Sequence, residues 1–157
     1  MRIRHFRNAD PPALVAVWND ALTHRGAAEL RSPSPFDGAV FDKPYFDPQG
    51  LLIAEDTTGQ MLGFAHAGFG PMPALDGVDF SLGVLCAVLV RQAYRRQKIG
   101  TELVKRCEDY LRKSGAKECY AGPAKPHKPF YTGIYGGSNA PGFLQSDTDA
   151  EPFFLAQ

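Results

Sequence analysis

The sequence has no excess of charge and no long apolar run. Seventeen lysine and arginine residues balance seventeen aspartate and glutamate residues among 157, so the formal net charge is zero. A neutral chain has no general attraction to nucleic acid or to an anionic membrane, and any anion site must be local. The longest apolar run, GVLCAVLV, is far too short to cross a bilayer, and the N-terminus has no apolar segment of signal-peptide length. We therefore expect a cytoplasmic protein of one domain, residues 1–157, with neither nucleic-acid nor membrane partners.

Cysteine and histidine are scarce, and the common nucleotide-binding motifs are missing. The three cysteines (Cys86, Cys107 and Cys119) form no CxxC pair, which argues against a disulfide framework and predicts buried, reduced thiols. The four histidines have no ligand spacing with the cysteines, so we expect no metal site. Because neither GxxxxGK[ST] nor GxGxxG occurs, P-loop and Rossmann nucleotide sites are excluded.

What the sequence does contain is an alternation of strand and helix patterns. Residues 1–7 predict a strand, and Asp10 before two prolines predicts a helix start capped by its carboxylate. Residues 51–69 predict a β-hairpin, and GVLCAVLV a central strand covered on both faces. An amphipathic helix ending at Gly115 and a strand, AKECYAG, follow. This order predicts an α/β fold of α+β type, with a mixed, mostly antiparallel central sheet flanked by helices.

Three stretches have weaker patterns. Residues 31–50, rich in proline and aromatic side chains, are either a loop packed by its own rings or a short broken helix. The segment GPMPALDGVD, residues 70–79, is predicted to be a loop. Beyond Pro123 the chain is rich in proline and glycine until DTDAEPFFLAQ, where a helix is expected to begin at Asp147 or Thr148.

A basic segment, YRRQKIGTELV, joins the apolar central strand to the amphipathic helix. A helix N-terminus offers free N–H groups and a partial positive charge, which suit a phosphate group. Gly100 removes a Cβ where a phosphate would approach, and Arg95, Arg96 and Lys98 add positive charge. The residues alone leave two interpretations open: a local anion site, and a solvated charged turn.

The longer stretch VLVRQAYRRQKIGTELV resembles the GNAT superfamily of acyl-CoA-dependent N-acetyltransferases, whose motif Q/R-x-x-G-x-G/A opens a helix after a central strand. Arg95 takes the first motif position and Gly100 the last, while Lys98 replaces the middle glycine. The order of elements up to about residue 122 also follows the family. The resemblance implies transfer of acetyl from acetyl-CoA, the cosubstrate, to a primary amine of a small molecule or peptide. The alternative it leaves is a non-catalytic acyl-CoA-binding or regulatory domain.

The resemblance also implies which residues hold acetyl-CoA. Backbone groups of Val88, Leu89 and Val90 would pair with the pantetheine arm like an added strand, and an N–H there would face the thioester oxygen. Lys98 is expected to adopt helical φ and ψ angles, with its ammonium group near a phosphate. The pyrophosphate would lie against the segment that consists of Arg95, Arg96, Gln97, Lys98, Ile99, Gly100 and Thr101.

Two stretches compete for the general-acid tyrosine that the family places in a late F-Y-x-x-x-G-F pattern. PFYTGIYGG offers Tyr131, with Tyr135 close by, whereas AEPFFLAQ puts Phe154 at the tyrosine position. The second alignment implies that the chain ends inside the family's last helix and lacks the usual last strand pair. The domain would then be truncated, a fragment, or completed by a partner domain or by a second copy in a homodimer.

No general base or acceptor amine can be named from the residues. His66, on the predicted hairpin, is either a base or a packed side chain of the sheet. Solvated surface is the expected role of the four carboxylates nearest the predicted acceptor side, which are Glu29, Asp37, Glu55 and Asp79.

Overall fold

A computed structural model describes residues 1–123, 127–134, 143–144 and 146–157. Its strands are β1 (Arg2–His5), β2 (Leu51–Glu55), β3 (Met61–Pro71), β4 (Val78–Val90) and β5 (Glu118–Ala121). Its helices are α1 (Pro11–Ala21), the short α2 (Ser34–Phe36), α3 (Ile99–Lys113) and α4 (Ala150–Leu155). None of the helices in these ranges is long and apolar enough to span a membrane.

The strands form one sheet in the order β1–β2–β3–β4–β5. The pairings β1–β2, β2–β3 and β3–β4 are antiparallel, and β5 runs parallel to β4. The predicted mixed, mostly antiparallel sheet is therefore confirmed. The predicted loop at residues 70–79 is shorter than expected, because Pro71 still pairs with Val78 and only residues 72–77 connect the two strands.

Both faces of the sheet are covered by apolar layers, as the pattern of the central strand predicts. On one face α1 packs with residues 30–46 and 130–134, where Trp18, Phe36, Phe64 and Phe130 are fully buried. On the other face α3 buries the side chains that its sequence repeats at helical spacing, which are Leu103, Val104, Cys107 and Leu111. The helix ends as predicted, with Gly115 in the left-handed region at φ 106° and its N–H bonded to Arg112 O.

Residues 31–50 have features of both predicted structures, a short broken helix and a loop packed by its own rings. The segment contains α2, a π-helical turn at Asp37–Phe41 and a 3-10 turn at Pro48–Gly50. It is also packed by its own rings, because the ring centroid of Phe41 lies 6.1 Å from that of Phe36 and 5.4 Å from that of Phe46, which it meets edge-on. Phe41 also stacks on Phe6, outside the segment, with centroids 5.1 Å apart. Such ring pairs contribute packing energy beyond their buried area.

Two of the three cysteines are buried, as predicted, and all three are free thiols. Burial raises the pKa of Cys86 and raises that of Cys107 to about 12, so both stay protonated and unreactive. The prediction is wrong for Cys119, which is exposed because it lies on β5, a strand whose four residues are all exposed.

Asp10 precedes α1 as predicted, but its carboxylate does not cap the helix. The prolines at the first two helical positions have no N–H to donate, and the oxygens turn instead toward β1. They accept hydrogen bonds from Arg4 Nη1 at 2.7 Å, from Arg4 Nη2 at 2.8 Å and from the Arg7 backbone N–H at 2.7 Å. The start of α1 is thereby fixed to the first strand.

Arg4 also joins β1 to β2 through Glu55. Its Nε donates to one Glu55 oxygen at 2.6 Å, and the guanidinium group of Arg2 donates to the other. Glu55 is only 5% exposed, so the expectation of a solvated carboxylate is wrong there. Hydrogen bonds from Arg4 and then Arg2 hold the pKa of Glu55 below its usual range.

Replacing Arg4 by methionine should destabilise the fold by about 3–5 kcal/mol, because it removes the cation shared by two buried carboxylates. Urea unfolding at pH 7 measures the change. The control is Arg106→Met, which removes an exposed pair with Glu102 on α3 and should cost no more than about 1 kcal/mol. Equal losses in the two variants would contradict the role given to Arg4.

Candidate functional site

Strands β4 and β5 pair over a short distance and then separate. Their register runs from Leu82 opposite Glu118 to Leu85 opposite Ala121 and stops there. Beyond Leu85, β4 continues for five residues, of which the last four pair with β3 alone among the described strands. This leaves an open backbone edge at the end of β4, where an extended ligand can bind as a further strand.

A β-bulge lies where the two strands separate. His66 of β3 is opposite Ala87, but the next residue, Ala67, is opposite Leu85, so Cys86 is an extra residue in β4. Bulges change the direction of a strand and are common beside active sites. After the bulge come Val88, Leu89 and Val90, the three residues predicted to contact pantetheine.

A cleft of about 410 Å³ lies between the open end of β4, the start of α3 and the C-terminal segment. The volume is in the range of small-molecule sites. Of the ten residues predicted to bind acetyl-CoA, Gln97 is the one that does not line this cleft; it lies in a neighbouring depression beside Arg2 and Arg106. The other nine line it: Val88, Leu89, Val90, Arg95, Arg96, Lys98, Ile99, Gly100 and Thr101.

The N-terminus of α3 points free amides at the cleft. No side chain caps the helix, so the first N–H groups, those of Ile99, Gly100 and Thr101, are available to an anion. A Cβ on Gly100 would lie 3.2 Å from the ring of Phe153 across the cleft, which is a tight contact. Glycine therefore allows the ring of Phe153 to pack closely against the first turn of α3.

Lys98 lies in the left-handed region, with φ 61° and ψ 10°, so the predicted helical angles are wrong. Arg96 also has φ 61°. The chain leaves a 3-10 turn at Gln92–Tyr94 and has four residues in which to reverse into α3, which demands these unusual angles. Each costs about 1–2 kcal/mol in a residue with a Cβ, and strain of this kind is concentrated at functional sites.

Arg95 has protein partners as well as a place in the cleft wall. Its Nη2 donates to Ala21 O at 2.8 Å and its Nε to Val90 O at 3.3 Å. The side chain thus joins the end of α1 to the end of β4. The prediction treated Arg95 as a phosphate contact, and no local pattern indicates that its side chain reaches the carbonyl of Ala21 at the end of α1.

The C-terminal segment forms the wall opposite α3. Ser146 Oγ donates to Arg25 O at 2.7 Å, and Asp147 lies 3.5 Å from His24. Phe153 and Phe154 pack against the α3 layer and line the cleft. Sequence reasoning predicted a helix here but not this contact, since nothing in DTDAEPFFLAQ indicates which surface it packs against.

Asp149, immediately before α4, brings a negative charge to the same cleft. One carboxylate oxygen lies 3.7 Å from Arg95 Nη1 and the other 3.8 Å from Arg96 Nη2. The carboxylate makes no cap hydrogen bond to α4. Asp149 was not among the predicted site residues.

Tyr131 and His66 lie together on the other face of the sheet. Tyr131 is 3% exposed, has φ 63°, and its hydroxyl is 3.0 Å from His66 Nδ1. Burial lowers the pKa of His66 to about 3, so its ring is neutral at physiological pH. Tyr131 does not line the cleft, and Tyr135 lies outside the described residues. Packing of His66 in the sheet, one of its two predicted roles, is what the structure shows.

No cluster of histidine, cysteine and acidic side chains suited to a metal occurs in the described ranges. The remaining base candidates are scattered: Glu29 and Asp37 are exposed, and Asp79 is partly buried on β4 with Ser81 as its partner. The described residues therefore bring together an uncapped helix N-terminus, an open strand edge and a basic turn (Arg95, Arg96 and Lys98), without a carboxylate from this predicted set.

Comparison with known proteins gives one family. The model of the acetyltransferase (GNAT) family matches residues 12–132. A mycothiol acetyltransferase from Propionibacterium freudenreichii subsp. shermanii is 34% identical over 64 residues, which are 41% of this chain and 20% of that protein. The matched stretch thus spans about a fifth of the length of this relative.

Solved structures share the fold. A GNAT family acetyltransferase from Brucella melitensis, in complex with acetyl-CoA, is similar with a TM-score of 0.57 at 23% identity, covering 75% of this chain and 72% of that one. The ribosomal-protein-S18-alanine N-acetyltransferase from Escherichia coli is similar with a TM-score of 0.63 at 17% identity, covering 99% and 74%. At these identities the similarity concerns the fold alone.

The left-handed Lys98 leads to a stability prediction. Lys98→Gly should stabilise the protein by about 0.5–1 kcal/mol, since the relief of strain exceeds the extra flexibility of glycine in the unfolded chain. Urea unfolding should show a higher midpoint with an unchanged slope.

The matched control is Lys105→Gly, at an exposed position inside α3, which should destabilise by about 1 kcal/mol. If Lys98→Gly destabilises as Lys105→Gly does, then Lys98 does not have the left-handed conformation.

Proposed function

The chain belongs to the acetyltransferase (GNAT) family, and from this premise we propose that it transfers acetyl from acetyl-CoA to a primary amine. One observation carries the proposal: the open edge of β4 leads directly to the uncapped N-terminus of α3 within a single cleft. A strand edge suits the amide groups of pantetheine, and a helix N-terminus suits the diphosphate. The acetyl-CoA held by the similar Brucella melitensis protein agrees with this assignment.

In the proposed complex, pantetheine lies along Val88, Leu89 and Val90, and the diphosphate lies against the backbone from Arg96 to Thr101. A backbone N–H of β4 polarises the thioester carbonyl. The acceptor nitrogen must arrive neutral, having lost its proton to water or a carboxylate. It forms a bond to the carbonyl carbon and gives up a further N–H proton to water. The C–S bond breaks and the departing thiolate takes up a proton, so that the products are an amide and CoA thiol.

Release of free CoA thiol across a panel of primary amines tests the activity. The proposal predicts thiol release that requires an amine and saturates with its concentration. The competing proposal is an acyl-CoA-binding domain of the same fold without turnover, which Lys98 in the motif and Phe154 at the tyrosine position would suit. Tight CoA binding without amine-dependent thiol release would favour that second function.

Gly100 gives a test of the binding site. Gly100→Val should weaken acetyl-CoA binding tenfold or more, equivalent to about 1.4 kcal/mol, because its side chain would push against Phe153 and cover the free amides of the first turn of α3. Isothermal titration calorimetry measures the change. Gly38→Val is the control, since a Cβ at Gly38 meets nothing within 4 Å. Unchanged affinity in a folded Gly100→Val protein would move the site elsewhere.

Tyr131 is our proposed proton donor to the thiolate, a role that requires the cleft to extend to its buried hydroxyl when acetyl-CoA binds. Its support is the contact with His66, which lies opposite Ala87, one residue before the proposed pantetheine edge. Tyr131→Phe should lower kcat by about a hundredfold, the usual contribution of a general acid, with little change in KM. Tyr135→Phe is measured in parallel, since Tyr135 is the second predicted donor. Rates equal to wild type in both variants would remove tyrosine acid catalysis from the mechanism.

A further inference from the structure

The carboxylate of Asp149 lies close to two arginines of the proposed diphosphate site. It is 3.7 Å from Arg95 and 3.8 Å from Arg96, and all three residues line the cleft. The Asp149 side chain makes no cap hydrogen bond to α4. Among the described residues its ion-pair partners are the two arginines of the basic turn.

The position of Asp149 conflicts with a negatively charged ligand. A diphosphate and a carboxylate near the same guanidinium groups repel each other, and the two anions compete for the same cations. The neighbouring side chains of the segment favour an uncharged ligand group instead, because Pro152, Phe153 and Phe154 give the cleft an apolar wall. The C-terminal segment thus combines one unfavourable charge with a surface that suits the uncharged part of acetyl-CoA.

We propose that Asp149 is an electrostatic latch: without ligand it pairs with Arg95 and Arg96, and the diphosphate of acetyl-CoA displaces it. This inference rests on the function proposed above and concerns the regulation of the same site. The displacement needs only a side-chain movement, because the segment is also held by Ser146 on Arg25 and by Asp147 beside His24. The latch lowers the affinity for CoA and so favours release of the product.

Calorimetric titration with CoA at low salt tests the latch on the full chain. Asp149→Asn removes the charge and keeps the shape, and it should tighten CoA binding about two- to fivefold, as expected for partly exposed ion pairs. The gain should shrink as NaCl is added, because salt screens the repulsion. Asp149→Glu keeps the charge and should give a smaller shift than Asp149→Asn.

Asp109→Asn is the matched control, since Asp109 is a partly exposed carboxylate paired with Arg112 at 2.9 Å on the far end of α3. It should bind CoA as wild type does. The latch is overturned if Asp149→Asn binds CoA no more tightly than wild type, or if Asp149→Glu gains as much affinity as Asp149→Asn. Either result leaves the proposed CoA site intact as long as the wild-type protein binds CoA. Failure of the wild-type protein to bind CoA overturns the proposed function and the latch with it.

Discussion

The guanidinium group of Arg95 connects the last residue of β4 to the last turn of α1, through the carbonyl oxygens of Val90 and Ala21. The rest of the site depends on this connection because it fixes where the chain turns from the sheet into α3. The other end of α1 is fixed as firmly, by Asp10 on Arg4 of β1. Helix α1 is thus held at its start by Arg4 and at its end by Arg95. The contact with Arg95 places the basic turn beside the cleft.

The neutral composition of the chain makes the local arrangement of charge decisive. Arg95 and Arg96 flank a helix N-terminus, and the strained backbone at Arg96 and Lys98 turns the chain so that α3 begins at the end of the open strand edge. Strain of this kind persists only where the surrounding structure imposes it. Here the buried strand before the turn and the amphipathic helix after it are both fixed in the core.

What could be predicted from the sequence was local. The helical repeat of Leu103, Val104, Cys107 and Leu111 predicted the buried face of α3, and the doubly apolar run predicted the central strand. The basic segment was also placed correctly between these two elements.

What failed depended on how the elements meet in the folded chain. Asp10 looked like a helix cap because the pairing with Arg4 is invisible to a local pattern, and Glu55 looked solvated because its two arginines lie on β1. The angles of Lys98 follow from the short path between β4 and α3. Asp149 was missed as a site residue because only the folded chain brings α4 to the basic turn.

The central claim is that the open edge of β4 and the N-terminus of α3 form one CoA site, and amide hydrogen exchange with and without CoA tests it most directly. The account predicts slower exchange at Val88–Val90 and at Ile99–Thr101 when CoA binds. Slower exchange confined to other parts of the chain, with these two segments unchanged, would contradict it.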